Sequence, residues 1–210
     1  MKEHPVFIPT VVGPLAALVS EPDGQARAGV VLLHGGSRRA GPHQAWVRAA
    51  AELTELGLSV MRIDYPGRGD SSLAKPRRRE EKPLRQTAAW FRRETGLDLL
   101  VLGACSGARR GLHAVAKGLD VLSLGMISPY LRTLPAAPSL RRIARRVRPR
   151  MGVNTSPRFT RVDRQVARSL DAALHVAPIW VLLGDQDYAV RDLSRLRQMM
   201  SNGHKLEVEV

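Results

Sequence analysis

Cysteine is almost missing from this chain: one residue, Cys105, in 210. A single cysteine excludes an internal disulfide, and with it the small disulfide-stapled secreted folds. Aromatic residues number only nine, which argues against the stacking platforms that hold single-stranded nucleic acid. Acidic residues are outnumbered 19 to 33 by basic ones, 28 of them arginine, for a net charge of +14. No zinc-finger spacing, aromatic strand motif or basic heptad accompanies that charge, so specific nucleic-acid binding is not expected. No apolar run approaches the ~20 residues of a membrane span. None after Met1-Lys2-Glu3-His4-Pro5 is long enough for a signal peptide. The expectation is a cytoplasmic protein of one domain, 1–210, without metal or cofactor and large enough to bury a sizeable core.

What the chain does have is a strand–turn–helix signature in its middle. Leu99-Leu100-Val101-Leu102 reads as a buried strand. Gly103-Ala104-Cys105-Ser106-Gly107 follows, then a helical run from Ser106 to Lys117 closed by Gly118. A turn this sharp needs small neighbours around a central nucleophile, and the glycines two residues to either side put Cys105 at that centre. With Ser106 at the centre the flanks would be Ala104 and Ala108. A lone cysteine is more often a small buried hydrophobe; the glycine spacing is what favours the nucleophile. His113, two turns along the helix, reads as a core or surface residue.

Gly29-Val30-Val31-Leu32-Leu33 reads as a strand buried on both faces and runs into His34-Gly35-Gly36-Ser37. A glycine pair there lets backbone N–H groups turn towards a ligand. Beside an elbow, such a loop supplies one donor of an oxyanion hole, assigned to Gly36; the N–H after the nucleophile, that of Ser106, supplies the other. Taken alone, the glycines also fit a plain turn. Val6–Ile8, Leu15–Val19, Leu58–Ile63, Val121–Ile127 and Pro178–Leu183 read as further strands, and Gln44–Leu56 and Leu84–Thr95 as helices. This alternation predicts an α/β fold with a doubly wound, mostly parallel sheet. Its site lies outside the carboxyl ends of the strands, where His34-Gly35-Gly36 and Cys105 both fall.

Residues 132 to 170 hold eleven arginines and one acid, Asp163. With helical signals at Arg141–Val147 and Thr160–Leu174, the span 132–174 is expected to be a short basic helical cap. Its field would attract anions such as coenzyme A or an acyl carrier protein; the alternative is a solvated charged face. Beyond the strand at 178–183, Asp187 is the candidate acid to orient a catalytic histidine, with Asp185 second. Either could instead cap the next helix. Lys205–Val210 alternates as a strand does, with His204 before it.

Together these residues resemble an α/β-hydrolase over nearly the whole chain, and most closely the exosortase-associated hydrolases. The likeness rests on His34-Gly35-Gly36 followed by Arg39-x-Gly41-Pro42-His43, on Arg62-x-Asp64-Tyr65-x-Gly67-x-Gly69-Asp70-Ser71, and on Gly103-x-Cys105-x-Gly107-Ala108. A cysteine at the elbow is shared with dienelactone hydrolases. The resemblance implies a Cys–His–Asp triad with Cys105 and Asp187 as members, and Arg39 and His43 as substrate-binding residues. The family pattern places its histidine in a loop after the last strand, and that loop and the following helix are expected to be absent here. His204 is the remaining candidate. It reaches the site only if residues 206–210 do not form a strand, because six residues at ~3.3 Å each would hold it roughly 20 Å away. The expected activity is hydrolysis of, or acyl transfer from, a small-molecule ester or thioester through an acyl-Cys105 intermediate. The alternative is a catalytically incompetent protein of the same fold that binds an acidic carrier protein or another anionic ligand.

Overall fold

The computed structural model describes residues 1–36, 39–74, 81–131, 164–183 and 207–209. Eight strands among them form one sheet: β1 (Lys2–Ile8), β2 (Leu15–Glu21), β3 (Ala28–Leu33), β4 (Leu58–Ile63), β5 (Leu99–Ala104), β6 (Ser123–Ile127), β7 (Ile179–Leu182) and β8 (Glu207–Glu209), in the order β1-β2-β4-β3-β5-β6-β7-β8. β1 pairs antiparallel with β2 and β2 antiparallel with β4; every other pairing is parallel. The expected α/β, mostly parallel sheet is therefore present. β3 is buried at all six positions because β4 and β5 flank it and helices cover both faces.

Alternate residues along the strands serve opposite faces. Val31, Leu33, Val101, Met126 and Val181 pack with Phe91 and Ala88 of α2 (Glu81–Thr95), Leu112 of α3 (Ser106–Val115) and Val166 and Leu170 of α4 (Arg164–Leu174). Val30, Leu32 and Val60 pack on the other face with Trp46 and Ala50 of α1 (Ala45–Glu55). On that second face Trp180 and Leu182 of β7 are each about half exposed.

Several expectations change; α2 starts at Glu81 rather than Leu84, and β6 at Ser123 rather than Val121. β1 starts at Lys2 rather than Val6. It is an edge strand with an exposed amino-terminal half, so it carries little apolar signal, and the edge tolerates Pro5. α3 ends at Val115, and the turn to Gly118 (φ +87°) tightens through Lys117 N–H to Ala114 O and Gly118 N–H to Val115 O. Of the span expected as a cap, α4 belongs to the core: Val166, Leu170 and Ala173 are fully buried. Residues 132–163 lie outside the described residues.

Candidate active site

The sheet's strand order reverses at β3: the chain crosses from β3 to β4 on one side, then from β4 to β5 on the other. Ligand sites of doubly wound sheets lie at such a point. Leu33 pairs with Gly103, so the segments that follow β3 and β5 leave the sheet side by side.

Cys105 lies between β5 and α3 with φ 52° and ψ −119°, a region that L-residues rarely adopt. Its backbone is held from both sides. Its N–H donates to Ile127 O at 3.0 Å, and its carbonyl accepts from Tyr130 N–H at 3.1 Å. The side chain is exposed. Packing explains the glycines around it. A Cβ on Gly103 would stand 2.6 Å from the Cα and N of Ala108; one on Gly107 would stand 2.1 Å from Leu33 O; one on Gly35 would stand 2.7 Å from Cys105 Cβ. The loop after β3 thus packs directly against the elbow, and no side chain fits at the three contact points.

Hydrogen bonds fix that loop. Ser106 Oγ donates to Gly35 O at 2.6 Å and accepts from Arg110 at 3.0 Å. In a trans peptide the N–H lies opposite the carbonyl, so the N–H of Gly36 points away from Ser106 Oγ. A Cβ added at Gly36 would meet nothing within 4 Å. The N–H of Ser106, the first residue of α3, has no intrahelical partner. His34 Nδ1 donates to Gly36 O at 2.9 Å, and the Tyr65 hydroxyl donates to His34 O at 2.8 Å. The guanidinium of Arg110 lies 4.2 Å from the Tyr65 ring centroid. Tyr65, Arg110 and the Ser106 hydroxyl are site residues that sequence reasoning missed. The available signal was the helical i, i+4 spacing of Ser106 and Arg110.

Arg39, expected to bind substrate, is held by two carboxylates. It pairs with the buried Asp64 and, at 2.8 Å, with Asp70, tying the segment after β3 to the one after β4. His43 is exposed on a 3-10 turn (Pro42–Gln44) and its carbonyl accepts from Arg48 at 2.8 Å. His113 joins two helices, accepting from Arg109 and bonding Ser169 of α4, as a core or surface residue would. Asp187, Asp185 and His204 lie outside the described residues. Residues 207–209 form β8.

Comparison with known proteins places this arrangement. No family model matches the chain, and no curated protein matches it. Solved structures do. An α/β serine hydrolase without a lid from Xanthomonas campestris superposes with a TM-score of 0.64 at 19% identity, covering 100% of this chain and 83% of that one. An esterase of Pyrococcus furiosus gives a TM-score of 0.68 at 15% identity, over 100% and 82% of the two chains. Dienelactone hydrolase from Anabaena variabilis gives 0.64 at 18% identity, over 99% and 84%. The chain has the α/β-hydrolase fold. Within that fold, Cys105 occupies the turn between a central strand and its helix, and the loop after β3 flanks it. Among the described residues no helix is long and apolar enough to cross a membrane, and no cluster of three metal ligands occurs.

One electrostatic consequence can be measured. Burial pushes the His34 imidazole below its ordinary value of 6.5, although its hydrogen bond to Gly36 acts the other way. The folded state therefore resists a proton that the unfolded chain accepts. This contribution to stability is complete above about pH 6.5 and is lost as the pH falls towards the folded value. Wild type should lose stability more steeply than His34→Gln between about pH 7 and pH 5 in denaturant titrations. Equal slopes would show that His34 titrates normally.

Proposed function

We propose that this chain is an ester or thioester hydrolase or acyl transferase working through a covalent acyl-Cys105 intermediate. The observation that carries the reading is Cys105 itself: an exposed thiol on a strained turn, framed by glycines whose every added atom would collide with backbone or with the cysteine. The thiolate attacks the substrate carbonyl and forms a C–S bond. The tetrahedral oxyanion is met by the N–H groups of Gly36 and Ser106; such donors are each worth about 3–4 kcal/mol in the transition state. Collapse breaks the bond to the alcohol or thiol, which leaves with a proton. Water, or an acceptor nucleophile, then attacks the acyl-thioester and regenerates the thiol.

Asp187, with Asp185 as second choice, would orient a histidine in this scheme, and His43 would contact substrate at the rim. The likeness to exosortase-associated and dienelactone hydrolases supports a small acyl substrate, and the basic 132–163 span supports an anionic carrier such as coenzyme A or an acyl carrier protein. Among the described residues His34 and His113 are already committed to Gly36 O and to Ser169. The excess of basic residues, 33 against 19 acidic, favours a second reading, a catalytically incompetent protein of this fold that binds an acidic carrier protein or another anionic ligand.

A product-release time course on an activated thioester, wild type against Cys105→Ala, tests both. Sustained turnover in wild type, abolished in Cys105→Ala, is the expected result. A stoichiometric burst that stalls, with a matching mass increment on Cys105, means acylation without release. Identical traces from the two proteins overturn the covalent mechanism and leave the second reading.

A further inference from the structure

A concave surface of about 1110 Å³ runs along α2; neither Cys105, Gly36 nor Ser106 lines it. α2 contributes the stripe Lys82, Gln86, Ala89 and Arg93, spaced i, i+4, i+7 and i+11, and part of the stripe beside it, including Arg85 and Arg92. At 1.5 Å per residue this face is ~17 Å long, about three helical turns. Exposed apolar surface on it comes from Ala89 and Val11, with Ala88, Leu99 and Leu119 buried beneath. Gln86 is fixed within this stripe: its side-chain oxygen accepts from Val11 N–H at 3.0 Å.

Five cations line the groove against two acids, Glu81 and Asp120, a richer excess than the 33 to 19 of the whole chain. Asp120 is already paired with Arg92 at 2.5 Å. Lys82, Arg85 and Lys117 form no ion pair among the described residues, and all three are exposed. The groove is larger than the ~300–1,000 Å³ usual for a small-molecule pocket. Its described lining has no aromatic ring on which a nucleic-acid base could stack. An apolar floor under a cationic rim, three turns long, complements one kind of ligand: a helix with an apolar stripe and carboxylates beside it.

We propose that this groove docks an acidic amphipathic helix of a partner protein, with Lys82, Arg85 and Lys117 receiving its carboxylates. The proposal stands apart from the chemistry at Cys105. The probe is a fluorescein-labelled helical peptide of about 15 residues, leucine on one stripe and glutamate beside it, followed by anisotropy at about 150 mM salt. Its glutamine-for-glutamate analogue and a single-stranded oligonucleotide serve as competitors. The exposed positions allow the triple variant Lys82→Glu, Arg85→Glu, Lys117→Glu to fold, which circular dichroism checks. It should bind the acidic peptide at least about tenfold more weakly, since three exposed charge pairs are reversed together. Arg168→Glu on the exposed side of α4, and Cys105→Ala, should bind it as wild type does. An equal loss in Arg168→Glu, equal binding of the glutamine peptide, or displacement of the peptide by the oligonucleotide would overturn the proposal.

Discussion

Gly107→Ala should leave no folded protein in solution. Helix propensity alone favours the change by about 1 kcal/mol, so the sign is decided by space. The new methyl carbon would stand 2.1 Å from Leu33 O, 2.6 Å from Leu33 C and 2.7 Å from His34 O. All three atoms are backbone, at the end of a strand buried on both faces and hydrogen-bonded to β4 and β5. Neither rotamer change nor a small shift relieves that overlap. Relief requires α3 to lift from β3, which opens the packing of Ala108 and Leu112. A loss above about 4 kcal/mol is expected, a large part of the ~5–15 kcal/mol that holds a domain together. Gly118→Ala is the control. Nothing lies within 4 Å of its added carbon, and only the positive φ of 87° opposes it, a strain of about 1–2 kcal/mol. Soluble expression and thermal melting of the pair read the difference. A Gly107→Ala protein that melts near wild type would mean that the elbow is not packed as described.

Asp64→Ala should lower the melting temperature by about 6–12 °C, the equivalent of roughly 3 kcal/mol for a chain of this length. Asp64 is buried and accepts from Arg39 and, at 3.0 Å, from the N–H of Asp70. A side chain on Gly69 would run into the carboxylate at 2.4 Å, so that turn is shaped around it. Removing the carboxylate leaves Arg39 half-buried beside Asp70 alone. That remaining partner, at 2.8 Å but mostly exposed, holds the loss to the lower end of what a broken buried pair costs. Asp70→Asn, at the exposed partner, should cost less than about 1 kcal/mol. Calorimetry on the two variants separates them; equal shifts would mean that the buried carboxylate is not the anchor.

The elbow was legible because its constraint is steric and local. Glycines at 103 and 107 record the close approach of β3 and α3 within five letters of sequence. The parallel sheet was legible for a similar reason, since strands buried on both faces read as unbroken apolar runs. The Arg39–Asp64–Asp70 anchor was not legible as an anchor. Its partners stand 25 residues apart, and a cation in a loop beside a candidate site looks the same whether it faces a ligand or a carboxylate. His34 shows the same limit. Its sequence neighbours suggested a turn, but the bond from its ring to Gly36 O depends on how the chain doubles back after β3. The place of α4 was not legible: the stripe of Val166, Leu170 and Ala173 says that one face is buried, but not that it packs on α3 and the sheet rather than within a cap.

The frame around Cys105 also bears on descent. The thiol at the apex projects outward, while the surrounding glycines interlock with main chain. A lineage on this scaffold can exchange sulfur for oxygen at position 105 in one step, without rebuilding its architecture. Positions 35, 103 and 107 have no comparable neighbour in sequence space. Two enzymes that differ in their nucleophile can therefore be close kin, whereas a shared residue at the apex says little about ancestry unless the glycines accompany it.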